Sequence, residues 1–194
     1  MKTLTKLFAF LMLATFVFSS CSQQVYVEKR NNPYKFTGIV NVNNNVSKDI
    51  LYYNARLWFM NTFKDSKAVL EIDDKVNYVI AGKGVLRYEP RVFSGSDGIR
   101  GFINFSVFIY IKDGKYKYEI TNFYHEPIGR YGTVYSLHLI TDDQEYTGPK
   151  NTFFGLGHDW YNRVFQDIKE QINLKIEPSL IDLKNTMEKN NNDW

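Results

Sequence analysis

Hydrophobic side chains recur along this chain at two spacings, and the switches between them mark out its elements. Phe36-Thr-Gly-Ile-Val-Asn-Val42 alternates and is rich in β-branched residues, which predicts a strand. Asn43 to Asn45 predict a turn, and Ser47 is placed to cap a helix running to about Phe63. On that helix Leu51, Ala55, Trp58, Phe59 and Phe63 fall at helical spacing and make one apolar face, before Lys64-Asp65-Ser66 ends it. Ala68 to Ile72 predicts a second strand, Asp73-Asp74-Lys75 a turn, and Tyr78 to about Tyr88 a third strand. Gly82 and Gly84 within that strand suggest a bulge or sharp bend. Ser94 to Gly98 reads as a loop.

Asp113-Gly114 is the strongest local signal, a favoured two-residue type I′ turn. If Lys112 faces Lys115 across it, Ile111 lies opposite Tyr116, Ile109 opposite Tyr118 and Val107 opposite Ile120. The other face then pairs Tyr110 with Lys117, Phe108 with Glu119 and Ser106 with Thr121. Register set by the turn alone sorts an apolar face from an amphipathic one, and the agreement of the two signals supports the hairpin.

Tyr124 to Pro149 is loop-like, with a short extra strand within Thr133 to Ile140. Asp159 is placed to cap a second helix, where Tyr161, Val164, Phe165, Ile168 and Ile172 form a stripe. Glu177-Pro178 is expected to break it, leaving a short helix with Leu180, Leu183 and Met187 on one side. The order predicts an α+β fold: an antiparallel sheet of about five strands (β-α-β-β-β-β-α) with two helices on one face, plus a short C-terminal helix. The expected domain is residues 35–176, followed by a helix and polar tail over 177–194.

Several segments, taken in order, resemble a bacterial family of unknown function with a TATA-binding-protein-like fold. They are Ser47-Lys-Asp-Ile-Leu-Tyr with Ala55 and Trp58, Asn61-Thr-Phe-Lys-Asp-Ser66 and Ala81-Gly-Lys-Gly84. Val107-Phe-Ile-Tyr-Ile-Lys-Asp-Gly-Lys-Tyr-Lys-Tyr118 and Ile120-Thr-Asn-Phe123 complete the set. The resemblance covers roughly Phe36 to Tyr124. It implies the same fold and an exported or lipid-anchored protein, and it brings no catalytic residues. Likeness to a DNA-binding protein's fold does not imply DNA binding.

The N-terminus has a different pattern. Lys2 and Lys6 precede an apolar stretch from Leu7 to Phe18, about a dozen residues and too short to span a bilayer. Phe18-Ser-Ser-Cys21 resembles the bacterial lipobox, in which the cysteine is diacylated on sulfur and becomes the mature N-terminus. Cys21 is the only cysteine, so no bridge within the chain can use it. Residues 1–20 are therefore expected to be a lipoprotein signal peptide and 21–34 a lipidated, flexible tether. The expected membrane contact is the lipid. Ser22, rather than an aspartate, follows the cysteine and points to the outer membrane, facing the periplasm. Removing Lys2 and Lys6 lowers the 24 basic side chains to 22, against 21 acidic ones. No basic cluster survives, and no nucleic-acid partner is expected.

Candidate chemistry is sparse. His125, His138 and His158 lack metal-ligand spacing and read as neutral loop or surface residues, so no metal or cofactor is expected. Gly82-Lys-Gly84 lacks the spacing of a phosphate loop, and Ser94-Gly-Ser-Asp-Gly98 lacks the frame of a nucleophile elbow. What remains is the second face of the sheet, where Phe102, Asn104, Phe108 and Tyr110 alternate away from the core beside Lys117 and Glu119. If uncovered, this aromatic patch rimmed by charge suits contact with a protein or a ligand. The expected function is a non-catalytic, envelope-anchored binding domain. The alternatives are an envelope hydrolase assembled from His125, Asp142 and Asp143, and a homodimer sealed through this face.

Overall fold

The computed structural model describes residues 32–42, 46–62, 69–91, 96–128, 134–150 and 156–189. The Asp113-Gly114 hairpin is its centre. Strand β4 (Gly101–Lys112) and strand β5 (Lys115–Pro127) pair antiparallel in the expected register, from Lys112 opposite Lys115 to Ser106 opposite Thr121. Only the second turn residue, Gly114, has positive φ (69°), so the turn is not the expected type I′, which requires positive φ at both positions. Asp113 thereby avoids the left-handed region, which is unfavourable for a residue with a Cβ.

The remaining strands are β1 (Phe36–Asn41), β2 (Val69–Asp74), β3 (Val79–Tyr88) and the short β6 (His138–Leu139). They complete a six-stranded antiparallel sheet in the order β1-β5-β4-β3-β2, with β6 on β5. The turn before β3 lies later than expected, over residues 75–78. Asp74 fixes it there, because its carboxylate accepts the Val76 and Asn77 amides at 2.9 and 3.0 Å. Ser96–Ile99, expected as loop, is a short 3₁₀ helix.

Gly84 is not a bulge. The β3–β4 register runs unbroken from Val79 to Tyr88, and the irregularity lies in β2 between Leu70 and Ile72. Gly84 makes room instead. A Cβ there would meet the ring of its cross-strand partner Phe105 at 2.2 Å.

Helix α1 (Lys48–Thr62) begins at Ser47, whose hydroxyl accepts the Ile50 amide at 3.3 Å, and it buries Leu51, Ala55, Trp58 and Phe59. The expected end at Phe63 lies outside the described residues. Helix α2 (His158–Met187) is a single element and corrects two expectations. Its N-cap is Gly157, with no side-chain bond, while Asp159 lies in the first turn. It also continues through Pro178 instead of stopping there. An interior proline costs about 3 kcal/mol. Leu183 and Met187, both buried, each gain about 1.5–3 kcal/mol by continuing the stripe beyond it. Pro178 and Leu174 lie on the exposed side, where water can take up the lost backbone bond. α1 holds the distal half in place: Trp58 Nε1 donates to the Ser179 carbonyl at 3.1 Å, and Asn54 Nδ2 donates to that of Lys189 at 2.9 Å.

The expected domain limits therefore move at both ends. The C-terminal helix is part of the domain, and the chain is already engaged before residue 35. Asn32 accepts the Asp142 amide at 3.0 Å, Pro33 bridges Thr141, and the Tyr34 amide donates to Ile140 at 2.9 Å. The core lies between the helices and one face of the sheet, where Ile103, Phe105, Val107, Ile109 and Ile111 of β4 are all buried. Tyr88 links β3 to α2 through a 2.8 Å bond to Asp167, and its pKa is raised by burial and then by that carboxylate.

Candidate functional site

Because β4 is buried at every second residue, Phe102, Asn104, Ser106, Phe108 and Tyr110 point away from the helices. Cross-strand pairing places Lys117 beside Tyr110 and Glu119 beside Phe108, so all six expected site residues share one face. Phe102 and Tyr110 are each 38% exposed, and Asn104, Phe108 and Glu119 are half-buried. The Phe108 and Tyr110 rings stack with centroids 6.4 Å apart and planes 10° from parallel. Lys117 Nζ lies 5.6 Å from the Tyr110 ring centre and 3.5 Å from the Glu119 carboxylate. At the far end Asn104 Nδ2 donates to Glu126 Oε2 at 2.9 Å. Among the described residues, neither helix nor the loop after β5 covers this face. The loop runs along α2, where Tyr146 stacks on Tyr161 and its amide donates to Asn162 at 2.8 Å.

The face is wider than the sequence indicated. Ile39 of β1 (70% exposed) pairs with Lys117, Ile72 of β2 (45%) pairs with Ala81 opposite Phe108, and Tyr124 (43%) pairs with Leu139. Tyr124 was missed because it was expected to open a loop, whereas β5 continues through it to Pro127. The β4–β5 register shifts between Asn104 and Ser106, where Asn122 on β5 takes φ 59°. The extra residue inverts the alternation, so Phe123 and His125 turn into the core and Tyr124 and Glu126 turn outward. Asn122 was the one available signal, since asparagine tolerates the left-handed region better than most residues.

The bulge also decides the role of His125, which is fully buried in a strand and not on a loop or the surface. Its Nδ1 accepts the Leu137 amide at 3.1 Å and its Nε2 donates to the Ile99 carbonyl at 2.8 Å, which fixes one neutral tautomer. Burial pushes its pKa down to about 4, against the opposing pull of the Ile99 bond. With both nitrogens held by backbone groups, the ring has no lone pair to offer a substrate. Asp143 accepts the hydroxyls of Thr141 and Thr147, each at 3.0 Å, and so stabilises its own loop. His138 bonds the Tyr124 hydroxyl at 3.1 Å on the sheet. His158 opens α2 beside Lys150, Glu145 and Asn162. The described residues contain no cluster of three or more potential metal ligands. Cys21 lies outside them, and no described helix is long and apolar enough to cross a membrane.

No curated protein matches the chain. Among solved structures it is similar to a TBP-like protein from Parabacteroides distasonis, at 15% identity over 79% of this chain and 96% of that one, with a TM-score of 0.45. It is also similar to a DUF4468 family protein from Bacteroides ovatus, at 17% identity over 76% and 85% of the two chains, with a TM-score of 0.44. The family match is to the domain of unknown function (DUF4468) with TBP-like fold, and it runs from β1 to the outer half of β5. Over residues 36–126 the chain therefore matches the DUF4468 family, with the TBP-like fold that the resemblance had implied.

Proposed function

We propose that this is a lipoprotein of the bacterial envelope, anchored through acylated Cys21, whose domain binds a protein partner non-catalytically through its open sheet face. Phe102, Asn104, Phe108, Tyr110, Lys117 and Glu119 are the contact residues. One observation carries the reading: a broad aromatic surface, ordered by cross-strand pairing and bordered by charge, with no described element packed over it. Patches of this kind on a small domain mark interaction sites, because leaving them in water is unfavourable. The anchor rests on the charged start, the short apolar stretch and the Ser-Ser-Cys sequence, with Ser22 favouring the outer membrane and a periplasm-facing domain. Acyl chains contribute about 0.8 kcal/mol per buried methylene, enough for two or three chains to hold the protein at the bilayer.

Two measurements test this reading. Intact-mass spectrometry of membrane-purified protein should show a chain beginning at an acylated Cys21, and an unmodified thiol there contradicts the anchor. Chemical crosslinking in cells should give a partner adduct that the folded double variant Phe108→Ser/Tyr110→Ser loses. An unchanged adduct removes this face as the binding site, and an adduct of twice the chain mass identifies the partner as a second copy.

A further inference from the structure

The open face changes character along its strands. At the hairpin end two consecutive rows cross β4, β5 and β1: Tyr110, Lys117 and Ile39 in one, Lys112, Lys115 and Asn41 in the next. Strand alternation puts both rows on the open side. They border a groove of about 370 Å³ lined by Ile39, Tyr110, Lys112, Lys115, Tyr116 and Lys117. Three lysines thus share this lining with Ile39 and two tyrosine rings, its apolar floor. Lys117 shares Glu119 at 3.5 Å, whereas Lys112 and Lys115 are exposed and directly opposite each other, and Asp113 between them is not part of the lining. Like charges paired across strands destabilise a sheet, and a bound anion offsets that cost.

The floor narrows the class of anion. A bare phosphate would satisfy the lysines and leave Ile39 and Tyr110 in water. An extended peptide whose every second residue is by turns a carboxylate and an apolar side chain presents both on one face and satisfies both. β1 is also the outermost strand on this side of the described sheet, so its edge can guide such a segment. A bilayer is the weaker fit, because the chain enters the domain at the Phe36 end of β1, and the lysines lie at its other end, beside Asn41.

We propose that the hairpin end binds an acidic, extended segment of a protein partner, with carboxylates on Lys112 and Lys115 and an apolar side chain against Ile39 and Tyr110. This rests on the reading of the open face as a binding surface and names the chemistry that it selects.

The test is fluorescence anisotropy with full-length protein in detergent and a labelled peptide whose every second residue is by turns glutamate and valine, with serine between them. The controls are the same peptide with glutamine for glutamate, inorganic phosphate as competitor, and nanodiscs containing phosphatidylglycerol. The glutamate peptide should bind, weaken as salt rises, and lose about tenfold or more in affinity to K112E/K115E. K112R/K115R should retain binding. Equal binding of the two peptides, indifference to K112E/K115E, full displacement by phosphate, or preference for the nanodiscs would each overturn the proposal. Circular dichroism confirms that the variants fold. Phe108→Ser, outside the groove lining, separates the two readings. If K112E/K115E leaves the cellular adduct intact while Phe108→Ser abolishes it, the acidic-segment proposal fails and the face stands. If neither changes the adduct, both fail.

Discussion

The two faces of β4 share one backbone and differ in almost everything else. Toward the helices Ile103, Phe105, Val107, Ile109 and Ile111 are buried, all of them apolar. Toward the other side Phe102, Asn104, Ser106, Phe108 and Tyr110 mix aromatic with polar groups. Aromatic rings occur on both, so hydrophobicity alone does not distinguish a core face from a binding face. The neighbours do. Phe105 stacks on Phe123 at 5.5 Å over a position where only glycine fits, whereas Phe108 stacks on Tyr110 beside Lys117 and Glu119.

Truncation should separate the faces most sharply. Phe105→Ala removes a buried ring that Gly84 was shaped to accept, and should lower unfolding stability by about 3–5 kcal/mol in a denaturant titration. Phe108→Ala should lower it by about 1 kcal/mol or less. Comparable losses at the two positions would mean that the second face is packed after all.

Acid should act on the core face next. His125 is held neutral in the fold, with a pKa of about 4 against 6.5 for an unperturbed ring. Between those values the unfolded chain binds a proton that the folded one does not, so stability falls as pH drops from about 6.5 toward 4. Below that both states are protonated and the loss levels off. The total is about 3 kcal/mol. Thermal unfolding across this range should show the decline, and His125→Asn should flatten it even if the variant is less stable at neutral pH.

The reverse substitution sharpens the comparison from the β3 side. Gly84→Ala brings a methyl group onto the Phe105 ring and should cost about 1–3 kcal/mol through overpacking. The smallest effect belongs to the exposed charges. Lys83 and Glu71 lie 2.7 Å apart near the β2 edge, yet Lys83→Ala should change stability by about 0.5 kcal/mol or less.

Local chemistry explains which parts of this were readable from the sequence. The Asp-Gly turn and the alternation around it agree, so the hairpin register and the six-residue face follow from residues close together in the chain. Where a long-range term decides, the reading failed. Pro178 signals a helix end, but the buried stripe beyond it and the bonds from Trp58 and Asn54 outweigh that signal. Gly84 resembles a bulge until Phe105 is placed across from it. The turn residues after Tyr124 read as a loop, but β5 continues through them to Pro127, and the bulge at Asn122 then turns His125 into the core. Tyr124 was missed for the same reason.

Binding by the open face is the claim with most resting on it. A photo-reactive amino acid should be placed in living cells at Tyr110, and separately at Ile181, which is 65% exposed on the outer side of α2. The account expects a discrete higher-mass adduct from the Tyr110 position and none from Ile181. Adducts of equal yield from both, or none from Tyr110, would contradict it.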